Sequence, residues 1–262
     1  MWLVGCGNMG GAMLRRWTAA GLAAEAVTVI DPGTPAVPPG VTLLAAPPRD
    51  AAPEVIVLAV KPQQLDAVAP MLAEVRTPLL MSILAGVDEV ALSIRFPLAA
   101  TIVRAMPNLP VAIGAGVTAL HSAMANDRAR ATAAALAAPL GHVEWIVDES
   151  LFDAVTALSG CGPGFVFRFI DALAAAGVAL GLPADRAARL ARATVAGSAQ
   201  MAMEADESPA TLADRVASPG GSTREGLNVL DRDDALRTLL TDTLAAAARR
   251  NGELAAAAAM RA

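Results

Sequence analysis

Tyrosine is missing altogether from the 262 residues, and lysine occurs once, at Lys61. A proton relay built on a tyrosine–lysine pair, as in short-chain dehydrogenases, is therefore excluded. Cysteine and histidine are nearly as scarce, with two of each: Cys6, Cys161, His121 and His142. Both cysteines sit beside glycines in tight loops, where a disulfide framework makes little sense, so reduced thiols are expected. These four residues form no short-spaced ligand pair, and no metal is expected. Neither histidine has an acidic neighbour at a spacing that suggests a relay. Basic blocks are absent too: net charge is -5 and charged residues make up 17%, which argues against a nucleic-acid partner. The longest apolar runs, such as 55–60 and 172–183, fall short of the ~20 residues a bilayer-spanning helix needs, and the second contains two glycines and a proline. No basic leader precedes MWLVGCGNMGG at the start, so no secretory signal is expected and a cytoplasmic protein is the default.

What the chain does have is apolar content, 55% of its residues, and enough length for two domains. Short β-branched runs at 2–4, 26–30, 55–60 and 79–83 read as strands separated by helix-like or turn-rich stretches. That alternation implies a parallel sheet wrapped by helices. Runs at 101–104, 116–120 and 142–146 extend the sheet, with a helix over 125–136, and the domain closes near residue 147. From 148 to 262 the pattern becomes Ala- and Leu-rich with helical periodicity, a second and different domain. One long helical element interrupted at GCGPG is expected, then a helix from Pro183 to about Glu204. Ser208 and Pro209 cap a short one, and 234–262 forms a final helix or pair broken near Gly252. The small-residue faces of this domain need covering, and association of copies is the natural solution, a helical bundle packed on the first domain being the alternative.

Directly after the first strand stand Gly5, Gly7 and Gly10, a GxGxxG that opens a helix carrying Met13, Leu14 and Trp17. The first glycine permits the tight turn, the second lets backbone approach a pyrophosphate, and the third lets helix pack on strand. The helix amides then face the anion. Asp31 ends the second strand about 20 residues past Gly10, where a carboxylate accepts from an adenosine ribose and repels a 2′-phosphate. That favours NADH over NADPH, although Asp31 also suits the start of an Asp-Pro-Gly turn. Ala59, Val60, Lys61 and Pro62, then Ala85–Val87, then Met106, Pro107 and Asn108 follow later strands. In open α/β sheets such carboxyl-end loops line one crevice. Lys61 is either a cofactor contact there or a solvated loop lysine.

With tyrosine gone and the sole lysine in the nucleotide domain, a β-hydroxyacid dehydrogenase lacks its helical-domain lysine. Hydroxyls remain, and these suit reduction of a C=N bond. A cyclic imine arrives protonated and electrophilic, so no strong general base is required. The Gly-, Ser- and Thr-rich segment SPGGSTREGLNVLD, residues 218–231, is richer than a plain connection between helices needs, and reads either as a capping linker or as a substrate loop.

Taken together, VGCGNMGGAM, AVKP, RAMPNLPV, DAVTALSGCGPGFVFRFIDALAAAGV, GLPADRA and SPGGSTREGLNVL closely resemble the pyrroline-5-carboxylate reductase family, in order and over nearly the whole chain. The resemblance implies an N-terminal Rossmann domain, residues 1–147, and a helical dimerisation and substrate-binding domain, residues 148–262. It implies NADPH or NADH as cofactor, 1-pyrroline-5-carboxylate as substrate, L-proline as product, and a homodimer or assembly of dimers. Gly220, Gly221, Ser222 and Thr223 are then the substrate-carboxylate loop. Thr223 stands near the ring nitrogen as the candidate catalytic hydroxyl, and Ser218 is a secondary candidate. Gly5, Gly7, Asn8, Met9, Gly10, Asp31, Ala59, Val60, Lys61, Pro62, Met106, Pro107 and Asn108 form the cofactor set. Cys161, Gly164 and Phe165 stand where the family commonly has Ser, Ala and Tyr, and Asp88 where Thr is frequent. Another cyclic-imine reductase on this scaffold and a non-catalytic dinucleotide-binding redox sensor are the alternatives.

Overall fold

The computed structural model describes residues 1–48 and 51–259. Eight strands form one sheet: β1 (Trp2–Val4), β2 (Thr28–Ile30), β3 (Thr42–Leu44), β4 (Val55–Leu58), β5 (Leu79–Ser82), β6 (Ile102–Pro107), β7 (Gly116–His121) and β8 (Gly141–Trp145), in the order β3-β2-β1-β4-β5-β6-β7-β8. Ten α-helices lie among the described residues: α1 (Asn8–Ala19), α2 (Leu65–Leu72), α3 (Glu89–Arg95), α4 (Asp127–Ala137), α5 (Phe152–Val155), α6 (Gly162–Ala179), α7 (Ala184–Glu204), α8 (Pro209–Arg215), α9 (Ser222–Asp231) and α10 (Ala235–Ala259). A π-turn, Thr156–Gly160, lies between α5 and α6. The chain forms two compact units, Met1–Cys161 with Ala246–Ala262, and Gly162–Ala245.

In the first unit β4 and β5 are buried along their whole length, the apolar signature of strands covered on both faces. Alternate residues divide between two cores. Leu3, Val29, Val57, Met81 and Val103 meet Met13, Leu14 and Trp17 of α1 and Ala129 and Ala133 of α4. Val4, Ile30, Ile56, Leu58, Leu80 and Ile102 meet Leu65, Ala69 and Leu72 of α2 and Leu92 of α3. Trp17 is buried, and its indole Nε1 donates to the Leu136 carbonyl at 2.6 Å, so α1 is fixed to α4 as well as to the sheet.

Every neighbouring pair of strands is parallel except β6 and β7. Their connection, residues 108–115, is too short for the crossover that a parallel pair requires. Strand β3 was not among the sequence expectations: its three residues follow a Pro- and Gly-rich stretch and carry only weak alternation. The expected break near Gly252 is absent, because α10 continues through it as one helix.

The second unit is built differently. Gly177 lets α6 and α7 approach closely: a Cβ there would lie 3.3 Å from Leu182 and 3.4 Å from Ala187. Ser208 caps α8, accepting from the Thr211 amide at 3.2 Å, as expected. Its buried apolar residues are alanines, Ala187, Ala191 and Ala217, whereas Phe167, Phe169, Leu180 and Met203 are exposed. The helical run Glu149–Ala179 is long and apolar enough to cross a membrane. It carries a π-turn, a proline and the charged pair Arg168 and Asp171.

Truncating Trp17 to alanine removes its packing and leaves the Leu136 carbonyl without its donor. Trp17→Ala is expected to lower unfolding free energy by roughly 3–5 kcal/mol, read as a lower denaturant midpoint; a loss under about 1 kcal/mol would mean that α1 is held elsewhere.

Candidate active site

Gly5 follows β1 at φ 88°, a conformation open to glycine. A Cβ on it would lie 2.8 Å from the Ala59 carbonyl oxygen and 2.9 Å from the Val60 side chain, so Ala59 and Val60 form the wall against which the loop turns. A Cβ on Gly10 would lie 2.5 Å from the Gly5 carbonyl oxygen and 3.1 Å from the Ala59 side chain. The third glycine is therefore what lets α1 sit against β1 and β4. Gly7 differs: a Cβ there meets nothing within 4 Å, so the protein itself gives no steric reason for glycine. The space fits a ligand's pyrophosphate pressed against backbone. Gly7 is also the N-cap of α1, with no side-chain cap and no acidic residue in the first turn. Asn8 and Met9 begin the helix, and its open amides and positive dipole end suit an anion.

Asp31 is wired into this loop. Its Oδ2 accepts from the Cys6 amide and its Oδ1 from the Gly33 amide, both at 2.8 Å. The bond to Gly33 is the turn role foreseen from the sequence, and the bond to Cys6 ties the same carboxylate to the glycine loop. Burial, reinforced by the Asp31 charge and opposed by Arg15, pushes the Cys6 thiol above its ordinary pKa. Cys6 is consequently a packing residue rather than a nucleophile.

The loops after the next strands hold the remaining cofactor candidates. Lys61 is exposed and opens the short helical turn Pro62–Gln64, its amide donating to Gln64 Oε1 at 3.1 Å. Gly86, in Ala85–Val87, has φ 72°. Met106, Pro107 and Asn108 are buried at the end of β6. The Asn108 side chain is engaged within the chain, accepting from the Val117 amide at 2.8 Å and donating to the Ser159 carbonyl at 2.9 Å.

Beside these loops lies a cleft of about 780 Å³ lined in part by Ala85, Asp88, Arg104, Glu149 and Phe152. Its charged floor was invisible in the sequence. Buried Arg104 donates to Glu149 at 2.7 Å and lies 4.4 Å from the Phe152 ring centroid. The same Glu149 oxygen accepts from the Glu89 amide at 2.9 Å. The Glu89 carboxylate accepts from the Ala123 amide at 2.8 Å and lies 3.6 Å from Nε2 of buried His121. His142 also has an acidic neighbour, Glu144 at 3.2 Å, which alternation along β8 places on the same strand face. Among the described residues no three His, Cys, Asp or Glu gather as a metal site.

In the helical unit the SPGG segment forms a tight turn for stated reasons. Pro219 occupies the second position and Gly220, at φ 72°, the third, while the Gly221 amide donates to the Ser218 carbonyl at 3.0 Å. That is type II turn chemistry. Gly221 is then the N-cap of α9, again without a side-chain cap. Ser218, Ser222 and Thr223 are exposed. Arg224 anchors the turn, donating to Asp214 at 2.9 Å and to the Ala217 carbonyl at 3.2 Å. The Ser159 hydroxyl, within the SGCGPG stretch, is spent on the Val155 carbonyl at 2.9 Å.

A Rossmann-type unit with an open glycine loop, joined to a helical unit whose α9 also starts behind a glycine N-cap without a side-chain cap, defines a two-domain dinucleotide-dependent oxidoreductase. Residues 149–254 match the family model described as pyrroline-5-carboxylate reductase dimerisation, and residues 2–86 match NADP oxidoreductase coenzyme F420-dependent. A pyrroline-5-carboxylate reductase of Synechocystis is 45% identical over 203 residues, covering 77% of this chain and 75% of that protein. The solved pyrroline-5-carboxylate reductase of Coxiella burnetii superposes with a TM-score of 0.85 at 31% identity, covering 97% of each chain. That of Plasmodium falciparum, solved with NADP bound, gives 0.80 at 27% identity, covering 97% of this chain and 100% of that one. The chain belongs to the pyrroline-5-carboxylate reductase family.

Alanine at position 7 tests the cradle directly. Gly7→Ala is expected to change stability by less than about 1 kcal/mol while weakening NADPH binding at least about tenfold, measured by fluorescence titration and thermal melting. Unchanged affinity would remove Gly7 from the pyrophosphate site.

Proposed function

We propose that this chain reduces 1-pyrroline-5-carboxylate to L-proline with NAD(P)H. The observation that carries this reading is the open start of α9. A type II turn and a glycine N-cap leave the first-turn amides without a side-chain partner, in a chain of a family named for this reaction. Gly220 and Gly221 shape the turn, the Gly221 amide closing it on the Ser218 carbonyl, and the amides of Ser222 and Thr223 bind the substrate carboxylate. The Thr223 hydroxyl stands by the ring nitrogen as hydrogen-bond partner and proton donor, with Ser218 as the secondary hydroxyl. Bound dihydronicotinamide supplies the hydride to C5 of the imine.

On the cofactor side, Gly5, Gly7, Asn8, Met9 and Gly10 hold the pyrophosphate and Asp31 faces the adenosine ribose. Ala59 to Pro62, Lys61 included, and Met106 and Pro107 flank the nicotinamide and its ribose, and Asn108, its side chain engaged at Val117 and Ser159, supports them. The domain assignment is 1–147 for cofactor and 148–262 for dimerisation and substrate. The protein works in the cytoplasm as a homodimer or assembly of dimers, with neither nucleic acid nor membrane as partner. The exposed aromatic and aliphatic side chains of α6 and α7 support the dimer, since a second copy gives them a dry surface.

Purified protein with 1-pyrroline-5-carboxylate is expected to consume NADH or NADPH and yield proline, and the Asp31 charge favours NADH. Absence of turnover from folded, dinucleotide-binding protein would transfer the assignment to another cyclic imine or to a sensor. Thr223→Ala is expected to lower kcat by at least about a hundredfold, the scale of a lost proton donor, with dinucleotide affinity almost unchanged. Unaltered kinetics would reject Thr223 as the acting hydroxyl.

A further inference from the structure

Asn108 occupies the N-cap of a short helical turn, Leu109–Ile113, yet its side chain does not cap it. Asparagine is a favoured cap, so the diversion calls for a reason. Antiparallel pairing of β6 with β7 ends at Pro107 and Thr118. One residue further the Asn108 amide donates to the Val117 carbonyl at 3.1 Å, but the Asn108 carbonyl turns away to accept from Val111 at 3.1 Å. The Val117 amide is met instead by the side-chain Oδ1 of Asn108, at 2.8 Å. The side chain thus substitutes for backbone in the last rung of the ladder, which fixes its orientation and leaves Nδ2 directed at the Ser159 carbonyl, 2.9 Å away.

That carbonyl needs a donor from outside the helix. Its ordinary helical partner is the amide four residues on, and residue 163 is proline, which has no N–H. The π-turn Thr156–Gly160 stands at this point, with the Cys161 amide reaching back to the Thr156 carbonyl at 2.9 Å. A Cβ on Gly160 would lie 3.8 Å from Cγ and Sδ of Met106, so the turn held by Asn108 packs on the end of β6.

We propose that Asn108 is a positioning residue for hydride transfer. By supplying the donor that Pro163 cannot, it locks the π-turn onto Met106 and the end of β6. Asn108 acts through Met106 and Pro107 rather than by touching the cofactor. This inference rests on the proposed reductase reading, in which those two residues flank the nicotinamide.

Three variants test it. Asn108→Asp keeps an acceptor for Val117 but loses the donor to Ser159; Asn108→Ala loses both; Asn108→Ala with Pro163→Ala returns a helical amide to the Ser159 carbonyl. Hydrogen exchange of the cofactor-free protein is expected to show Val117 released in the alanine variant and protected in the aspartate variant, with residues 156–162 released in both. In turnover, kcat is expected to fall about tenfold or more, a scale at which small misplacements act. The primary isotope effect with 4-deuterated cofactor should rise while NADPH affinity changes less than about threefold, a split that general loss of folding does not produce. The double variant should recover at least about threefold in kcat relative to Asn108→Ala, after correction for Pro163→Ala alone.

Lost NADPH affinity with unchanged exchange at 156–162 would overturn the proposal in favour of direct contact. Unchanged kcat in folded Asn108→Asp would overturn it outright. If unaltered protein fails to turn over the imine, the reductase reading falls on that result alone, and the positioning role for hydride transfer falls with it. The exchange pattern would then report only whether the Asn108–Ser159 bond holds the π-turn.

Discussion

Backbone amides left open behind a glycine N-cap, at the starts of α1 and α9, are the constraint on which the proposed ligand sites depend. Asp88, Asn126 and Ser208 cap α3, α4 and α8 with their own side chains. Gly7 and Gly221, at α1 and α9, do not. Replacing a capping side chain with glycine costs only a few tenths of a kcal/mol, and it leaves donors directed at whatever anion arrives. Each open start has a local device that aims it. At α1 the device is the turn at Gly5 against Ala59 and Val60; at α9 it is the Pro219–Gly220 turn braced by Arg224. On the proposed reading, a dinucleotide pyrophosphate and a small carboxylate are two ligands for one chemical idea.

The two units differ in how completely they bury themselves. The sheet unit has an apolar core on each face, filled by Leu, Ile, Val, Met and Trp side chains. The helical unit closes on alanine and glycine and leaves its larger apolar residues outward. Small residues permit close helix approach but bury little area, so each helix pair contributes little by itself. Residues 149–254 match a dimerisation family, and an outward apolar surface suits association of copies. Stability of such a unit is tied to the concentration of its copies.

Local chemistry made much of this legible in advance. GxGxxG, the Pro219–Gly220 turn and the Ser208 cap each depend on residues within a few positions, and each folds as its residues demand. Strands buried on both faces announced themselves as β-branched runs, whereas β3, three residues long with weak alternation, did not. The long-range pairings at the carboxyl ends of the strands were illegible for a different reason. Arg104 meets Glu149 across 45 residues and Asn108 meets Ser159 across 51, and no periodicity connects such positions. The consequence of Pro163 could be anticipated as a missing amide, but only the fold shows which side chain replaces it. Gly252 was misleading because one glycine costs a helix only about 1 kcal/mol, too little to end α10.

The carboxylate of Asp31 has a consequence for how this fold can diversify. One oxygen fastens the Cys6 amide and the other the Gly33 amide, so the group that, on the proposed reading, discriminates between ribose and ribose phosphate also ties down the glycine loop. Selectivity and rigidity are therefore inherited together. A descendant that exchanged this acid for a neutral or basic residue, to welcome a phosphorylated ribose, would loosen its own phosphate loop in the same step. On that reading, a change of cofactor at this position calls for a compensating change near Cys6 or Gly33, whose amides would lose their acceptor.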